Sequence, residues 1–307
     1  MSQGNEGHGG SVKAILYALG ANFGIAGAKY FAAFWTGSGS MLAEAIHSTA
    51  DCANQLLLLL GLKEAARPES ADHPLGHHRV TYFWSMVVAL LLFFLGGAFS
   101  VYEGVHRLLH PEPLENGLAA MAVLGFAVVL ESFSLWGALK EIRAESGGKP
   151  FLQWFRETRQ SELMVVAGED IAALIGLALA FLAVTATVVS GNPLWDALGT
   201  LGIGTVLMVI AVAVMVEVKA LIVGESVAPE MRREIEEFVA AQPEVAEVLN
   251  VITLAWGAKA VIAVKARMAD MDTITGTQMV HRINLVEERM QQRWPNARWV
   301  FFEPDVR

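Results

Sequence analysis

The sequence predicts an α-helical membrane protein: six transmembrane helices followed by a small cytoplasmic α+β domain. Three observations predict it. The chain has 307 residues, 54% of them apolar, with a mean hydropathy of +0.45. Its charged residues, 17% of the total, are unevenly placed: residues 13–220 hold long apolar runs, and residues 225–307 read as a soluble domain. Within the first region, six runs reach the length of about 20 residues that a helix needs to cross a bilayer.

The six spans are 13–34, 40–62, 81–103, 117–139, 161–189 and 194–219. Gly37 and Gly39 separate the first two. Pro68 and Pro74, then Pro111 and Pro113, mark the next two loops. Gly147, Gly148 and Pro150 mark the fourth loop, and Gly191 and Pro193 the fifth. Residues 1–12 carry no Lys or Arg and form a polar cytoplasmic tail rather than a cleavable signal peptide. Basic residues in short loops set orientation. Lys63, Arg67 and Arg79 precede the third span, and Lys140, Arg143, Lys149, Arg156 and Arg159 precede the fifth. The opposite loops hold Arg107 alone, so the balance is three plus five against one. Both termini are therefore expected in the cytoplasm. With no organelle-targeting segment apparent, the expected location is a bacterial cytoplasmic membrane.

After Gly224, residues 229–241 read as an acidic amphipathic helix opened by Pro229. Residues 245–254 and 259–268 read as strands turned at Trp256-Gly257, 273–293 as a helix and 297–302 as a last strand. Helix–strand–strand–helix–strand places helices on one face of a sheet. The net charge of −9 argues against nucleic acid as a partner. Cys52, the sole cysteine, excludes an intrachain disulfide and a multi-cysteine metal cage. It points away from its neighbour Asp51 on the helix and reads as packing. The twelve methionines are scattered, which disfavours copper(I). No nucleophile motif, nucleotide loop or HExxH run supports an enzyme.

Chemistry is concentrated in the second span. Ser40, Glu44, His47, Asp51 and Asn54 follow one another at steps of four, three, four and three, which is one helical face. His47 and Asp51 stand one turn apart, where an imidazole nitrogen and a carboxylate can hold one ion. A buried His–Asp hydrogen bond pinning two helices is the alternative. The fifth span adds Glu162, Glu169 and Asp170. Ionisable groups inside a span usually face a cavity or pathway, and an unpaired Asp170 would need a proton or a cation. A carboxylate helix meeting a His–Asp helix supplies the donors of a four-coordinate divalent metal. Lys29 is the basic residue well inside a span and is expected to snorkel toward the interface. Tyr30, Trp35, Tyr82, Trp84 and Tyr102 fit interfacial belts. Glu131 serves either a proton path or a hydrogen bond within the bundle.

The run GSMLAEAIHSTAD at 39–51, DHPLGHHR at 72–79 and SELMVVAGED at 161–170 resemble the cation diffusion facilitator family, over nearly the whole chain. The resemblance implies a homodimeric antiporter in the lipid bilayer. It would export a divalent metal, zinc first, against protons, with residues 225–307 as a cytoplasmic ferredoxin-like dimerisation domain. Carried over position by position, His47, Asp51 and Asp170 are metal ligands. The fourth position is Val166, which cannot coordinate. Glu169 is the first substitute, with Glu162 and Glu44 behind it, which marks a divergent branch with Glu-Asp on the fifth helix. One nitrogen among several oxygens should also accept iron(II), manganese, cobalt, nickel or cadmium. His73, His77 and Asp72 would form a second, loop site; His78 lies beside them, and a solvated loop is the alternative. The tail positions that bind metal in the family are Leu249, Lys265, Glu303 and Asp305 here, so no metal cluster is expected there. A transport-inactive scaffold or regulator of the same family is the alternative function.

Overall fold

The structure, a computed structural model, describes residues 22–114 and 116–306. The expected polar tail at 1–12 and the start of the first span lie outside the described residues.

The chain folds into two compact units. The first comprises residues up to Gly61 with Trp84–Lys149 and Glu162–Val216; the second comprises Leu62–Phe83, Pro150–Ser161 and Glu217–Arg307. Residues 22–36 form helix α1, and Gly39–Ala65 form α2. Helix α3 is continuous over Val80–Leu109, with a wider π-type stretch at Leu92–Ala98. α4 spans Gly117–Glu145, α6 Ser161–Ser190 and α7 Leu194–Val223. Val80–Leu109, Gly117–Gly137, Ser161–Ser190 and Leu194–Val223 are long and apolar enough to cross a membrane. This is a multi-pass membrane protein. Helix α2 is long enough too, with 27 residues, but its polar stripe dilutes its hydropathy. Several helices outrun the apolar runs that announce them, because polar residues such as Glu103 and Arg107 continue a helix once it has begun.

The short helix α5, Phe151–Glu157, was not expected in the loop before the fifth span. Pro150 opens it, and Trp154 and Phe155 are buried. Of its residues, the sequence reading uses only Arg156, as an orientation signal.

In the first unit, small and branched side chains interlock around Met41, Leu92, Leu124, Leu177, Ile203 and Leu207. Helices α3 and α7 approach at glycines. A Cβ at Gly204 would lie 2.6 Å from the Val101 nitrogen, and one at Gly104 2.8 Å from the Leu201 nitrogen. Helix α2 is anchored at its start by Asp196 of α7. That carboxylate accepts from the Gly39 backbone N–H at 2.7 Å and from the Ser38 hydroxyl at 2.8 Å. A carboxylate facing the first turn satisfies N–H groups that have no helical partner and complements the helix dipole.

The second unit contains α8 (Pro229–Ala240), β1 (Val245–Trp256), β2 (Lys259–Met268), α9 (Gly276–Arg293) and β3 (Ala297–Pro304), in the expected order. The sheet order is β1–β2–β3, with β1 antiparallel and β3 parallel to β2. Thr275 caps α9 in a reciprocal box with Gln278. Ile235, Val239, Ile262, Val264, Val286 and Met290 form the core between helices and sheet. The β1–β2 turn packs on the loop residues of the same unit. Trp256 Nε1 donates to the Leu75 carbonyl at 2.9 Å, and the Gly257 N–H donates to the Tyr82 hydroxyl at 2.9 Å. Tyr82 is thus buried rather than part of an interfacial belt. Gly257 has φ +61°, and a Cβ there would lie 2.2 Å from the His78 carbonyl oxygen, so only glycine fits.

Candidate metal centre

Helix α2 carries its polar stripe into the interior of the first unit. Ser40, Glu44, His47 and Asn54 are all fully buried, and Asp51 retains 18% exposure of its side chain. His47 Nδ1 lies 3.6 Å from Asp51 Oδ1, one turn along the helix. That is beyond hydrogen-bonding distance, so a pinning His–Asp hydrogen bond is not what occupies this face. Glu44 Oε1, both imidazole nitrogens of His47, Asp51 Oδ1, Asn54 Oδ1 and Gln55 Oε1 are buried with no hydrogen-bond partner. Orphaned buried polar atoms are rare because each costs its full desolvation. A row of them on one face is the signature of a site built to receive something polar.

Helix α6 brings Glu169 to this face. Glu169 is 7% exposed and accepts a short hydrogen bond from Asn54 Nδ2. Its charge acts on those of Asp51 and Asp170. Val166 is half-buried on the same helix. Glu131 of α4 acts electrostatically on Glu44, His47 and Asp51. Among the described residues, no three His, Cys, Asp or Glu side chains stand close enough to enclose one ion. His47 and Asp51 approach as a pair.

Glu44 differs from the sequence expectation. Lys29 of α1 is 1% exposed, does not snorkel, and places its Nζ 3.2 Å from Glu44 Oε2 and 2.7 Å from Ser48 Oγ. One oxygen of Glu44 thus meets a resident ammonium, while the other, Oε1, is buried without a hydrogen-bond partner. Nothing in the sequence pairs residues 15 positions apart on different helices; that contact depends on how α1 and α2 pack. Asn54, by contrast, was legible as the last member of the stripe, and its contact to Glu169 is what links the two helices.

In the loop of the second unit, the His73 and His77 rings lie 4.2 Å apart between centroids, tilted by 31°, and His77 Nδ1 is buried without a partner. Asp72 is exposed. His78 turns instead toward Trp299, 6.1 Å between centroids. In the tail, Lys265 forms ion pairs with Asp305 and with Glu303 at 3.7 Å. A lysine ammonium thus sits among those acids.

A family profile described as the cation efflux transmembrane domain matches residues 15–223. A Xenopus laevis protein named proton-coupled zinc antiporter SLC30A9, mitochondrial, is 35% identical over 247 residues, 79% of this chain and 44% of that protein. Metal tolerance protein C4 of Arabidopsis thaliana is 33% identical over 205 residues, 66% of this chain and 45% of that protein. The cation-efflux pump FieF of Cronobacter sakazakii is 26% identical over 274 residues, 88% of this chain and 84% of that protein. The chain thus spans less than half the length of the first two.

Proposed function

This chain belongs to the cation efflux family, and we propose that it is a secondary transporter that exports a divalent transition metal, zinc first, from the cytoplasm in exchange for protons. The observation that carries the proposal is the buried face of α2. His47 and Asp51 present unpartnered nitrogen and oxygen atoms there, beside Glu169 of α6. His47, Asp51 and Asp170 are the proposed ligands, with Glu169 in place of the absent donor at Val166. Iron(II), manganese, cobalt, nickel and cadmium are secondary cargoes for a set with one nitrogen and several oxygens.

Exchange follows from competition. The imidazole must be neutral and the carboxylates ionised to bind the ion. Protons arriving from the opposite side occupy the same atoms and eject it. Helices rocking around the site would alternate its access, by analogy with other secondary transporters.

The proposed orientation has both termini in the cytoplasm, and the proposed membrane is a bacterial cytoplasmic membrane. The three-plus-five against one distribution of loop charges supports that orientation. So does the assembly of residues 62–83, 150–161 and 217–307 in one unit. The tail is proposed to form a homodimer through its sheet. Ile252, Ala263 and Phe301 lie in register across the three strands, and Ile252 and Phe301 are 61% and 56% exposed. His73 and His77, with Asp72, are proposed as an accessory cytoplasmic metal site.

The test is metal-dependent proton flux in proteoliposomes. Wild type should move zinc against protons, while His47→Ala and Asp170→Ala insert and fold but move none. Normal uptake by both variants would sink the assignment. Wild type that moves none of the six metals would favour the transport-inactive scaffold, for which Val166 is the supporting residue.

A further inference from the structure

In the α2 stripe, Glu44 meets a cation of the protein itself. The stripe puts Glu44 three residues before His47, where helix side chains meet. A free carboxylate there would join any ion bound by His47 and Asp51. Instead Glu44 Oε2 lies 3.2 Å from the Lys29 ammonium, which also donates to Ser48 at 2.7 Å. Glu44 and Ser48 are one turn apart, so Lys29 lies along the flank of α2 and is held at two points. The other oxygen, Oε1, is buried without a hydrogen-bond partner and points at α6, where a Cβ on Gly176 would lie 2.5 Å away. The fold thus leaves room for this carboxylate at both helices that bracket it.

A pair this deeply buried is poorly explained by stability, because desolvation of both ions largely cancels their attraction. Its effect on the neighbouring site is direct. The charges of Glu44, Lys29 and Glu131 all act on His47. Together, Lys29 and Glu44 contribute no net charge there.

We infer that Lys29 is a specificity-determining residue: its ammonium holds the Glu44 carboxylate and keeps it out of the group of atoms that bind the transported ion. The inference rests on the transport reading above. With Glu44 held away, the site keeps its imidazole among a limited number of oxygens, which suits zinc. Releasing Glu44 adds a hard oxygen donor and a negative charge, which suits manganese(II).

The experiment uses the full chain in proteoliposomes, with KM and kcat measured for zinc and for manganese(II). The variants are Lys29→Met, Glu44→Gln and the double substitution. Methionine keeps an unbranched chain and removes the charge. Lys29→Met should shift the ratio of zinc to manganese KM toward manganese by about tenfold, the effect of one additional carboxylate donor. Most of the change should lie in the manganese KM rather than in kcat. Glu44→Gln should keep the wild-type ratio within about twofold, and the double variant should return to it, as coupled neighbours do. Loss of packing alone cannot produce that return, since the double variant removes more than either single one.

An unshifted ratio in Lys29→Met, or a shift that persists in the double variant, overturns the inference. If Lys29→Met does not fold, Glu44→Gln decides: a loss of zinc affinity of about tenfold makes Glu44 a ligand and overturns it. Wild type that transports while Glu44→Gln fails refutes this inference alone. Wild type that neither binds nor moves either metal refutes the transport reading, and this inference with it.

Discussion

Replacing Glu169 by glutamine separates a ligand from a structural partner. The substitution is nearly isosteric, and the amide oxygen can still accept from Asn54 Nδ2, so the α2–α6 contact persists. What disappears is one negative charge in a buried position. That charge attracts a divalent ion and is repelled by Asp51 and Asp170. A unit charge about 4 Å from another is worth about 4 kcal/mol at an effective dielectric near 20. Attraction to a doubly charged ion therefore exceeds the relief of repulsion, and the difference should weaken metal binding. A loss of about 10- to 100-fold, or about 1.4 to 2.8 kcal/mol, is expected for an oxygen in the coordinating set. Relief of repulsion acts the other way on the metal-free protein, whose melting midpoint should be unchanged or raised by about 2 °C. The assay pairs zinc titration of the detergent-solubilised protein with a thermal melt in chelator. Affinity down with stability held or raised identifies Glu169 as the fourth donor. Affinity within about twofold, together with a lower midpoint, refutes the reasoning and leaves Glu169 as a partner of Asn54.

Three further outcomes are expected. Gly204→Ala puts a methyl 2.6 Å from the Val101 nitrogen and 2.8 Å from the Gly97 oxygen; these are backbone atoms that cannot turn aside, so α3 and α7 must part. Detergent melts should show a loss of about 1–3 kcal/mol, whereas Gly137→Ala, with open space around it, should cost nothing. In the tail, Arg289 grips Glu244 with two hydrogen bonds, at 2.8 and 3.0 Å, and these hold the Glu244 carboxyl below its ordinary range. Its contribution is present above the unfolded value of about 4.3 and is lost as pH falls through the lower folded value. Glu244→Gln should therefore lower stability by about 1 kcal/mol at neutral pH and remove that acid-dependent loss; identical melts for the two proteins from neutral to acid pH would contradict the pairing. Ile252→Asp places a charge on the exposed sheet face and should convert the proposed homodimer to a monomer by light scattering; a persistent dimer would move the interface elsewhere.

Periodicity made much of the fold readable in advance. Apolar runs of membrane-spanning length need no partner to be recognised, because each satisfies its backbone internally. The tail was readable for a related reason: alternating strands and the Trp256-Gly257 turn are local signals. Helix ends were less so. Polar residues extend α3 and α4 past their apolar stretches, and α5 arises in a loop whose Trp154 and Phe155 are buried only by the tertiary fold.

The stripe from Ser40 to Asn54 was determined by sequence alone, since residues three and four apart on a helix share a face wherever that helix is placed. So were His47 and Asp51 as neighbours, and the presence of Glu169 and Asp170 on a second helix. What stands beside each of these buried carboxylates was decided by tertiary structure. Glu44 and Glu169 are both buried acids in apolar helices, and nothing local distinguishes them. Packing delivers Lys29 to one and Asn54 to the other. The difference between a carboxylate beside an ammonium and one beside an amide is a contact between helices, and a contact of that kind has no period in the chain.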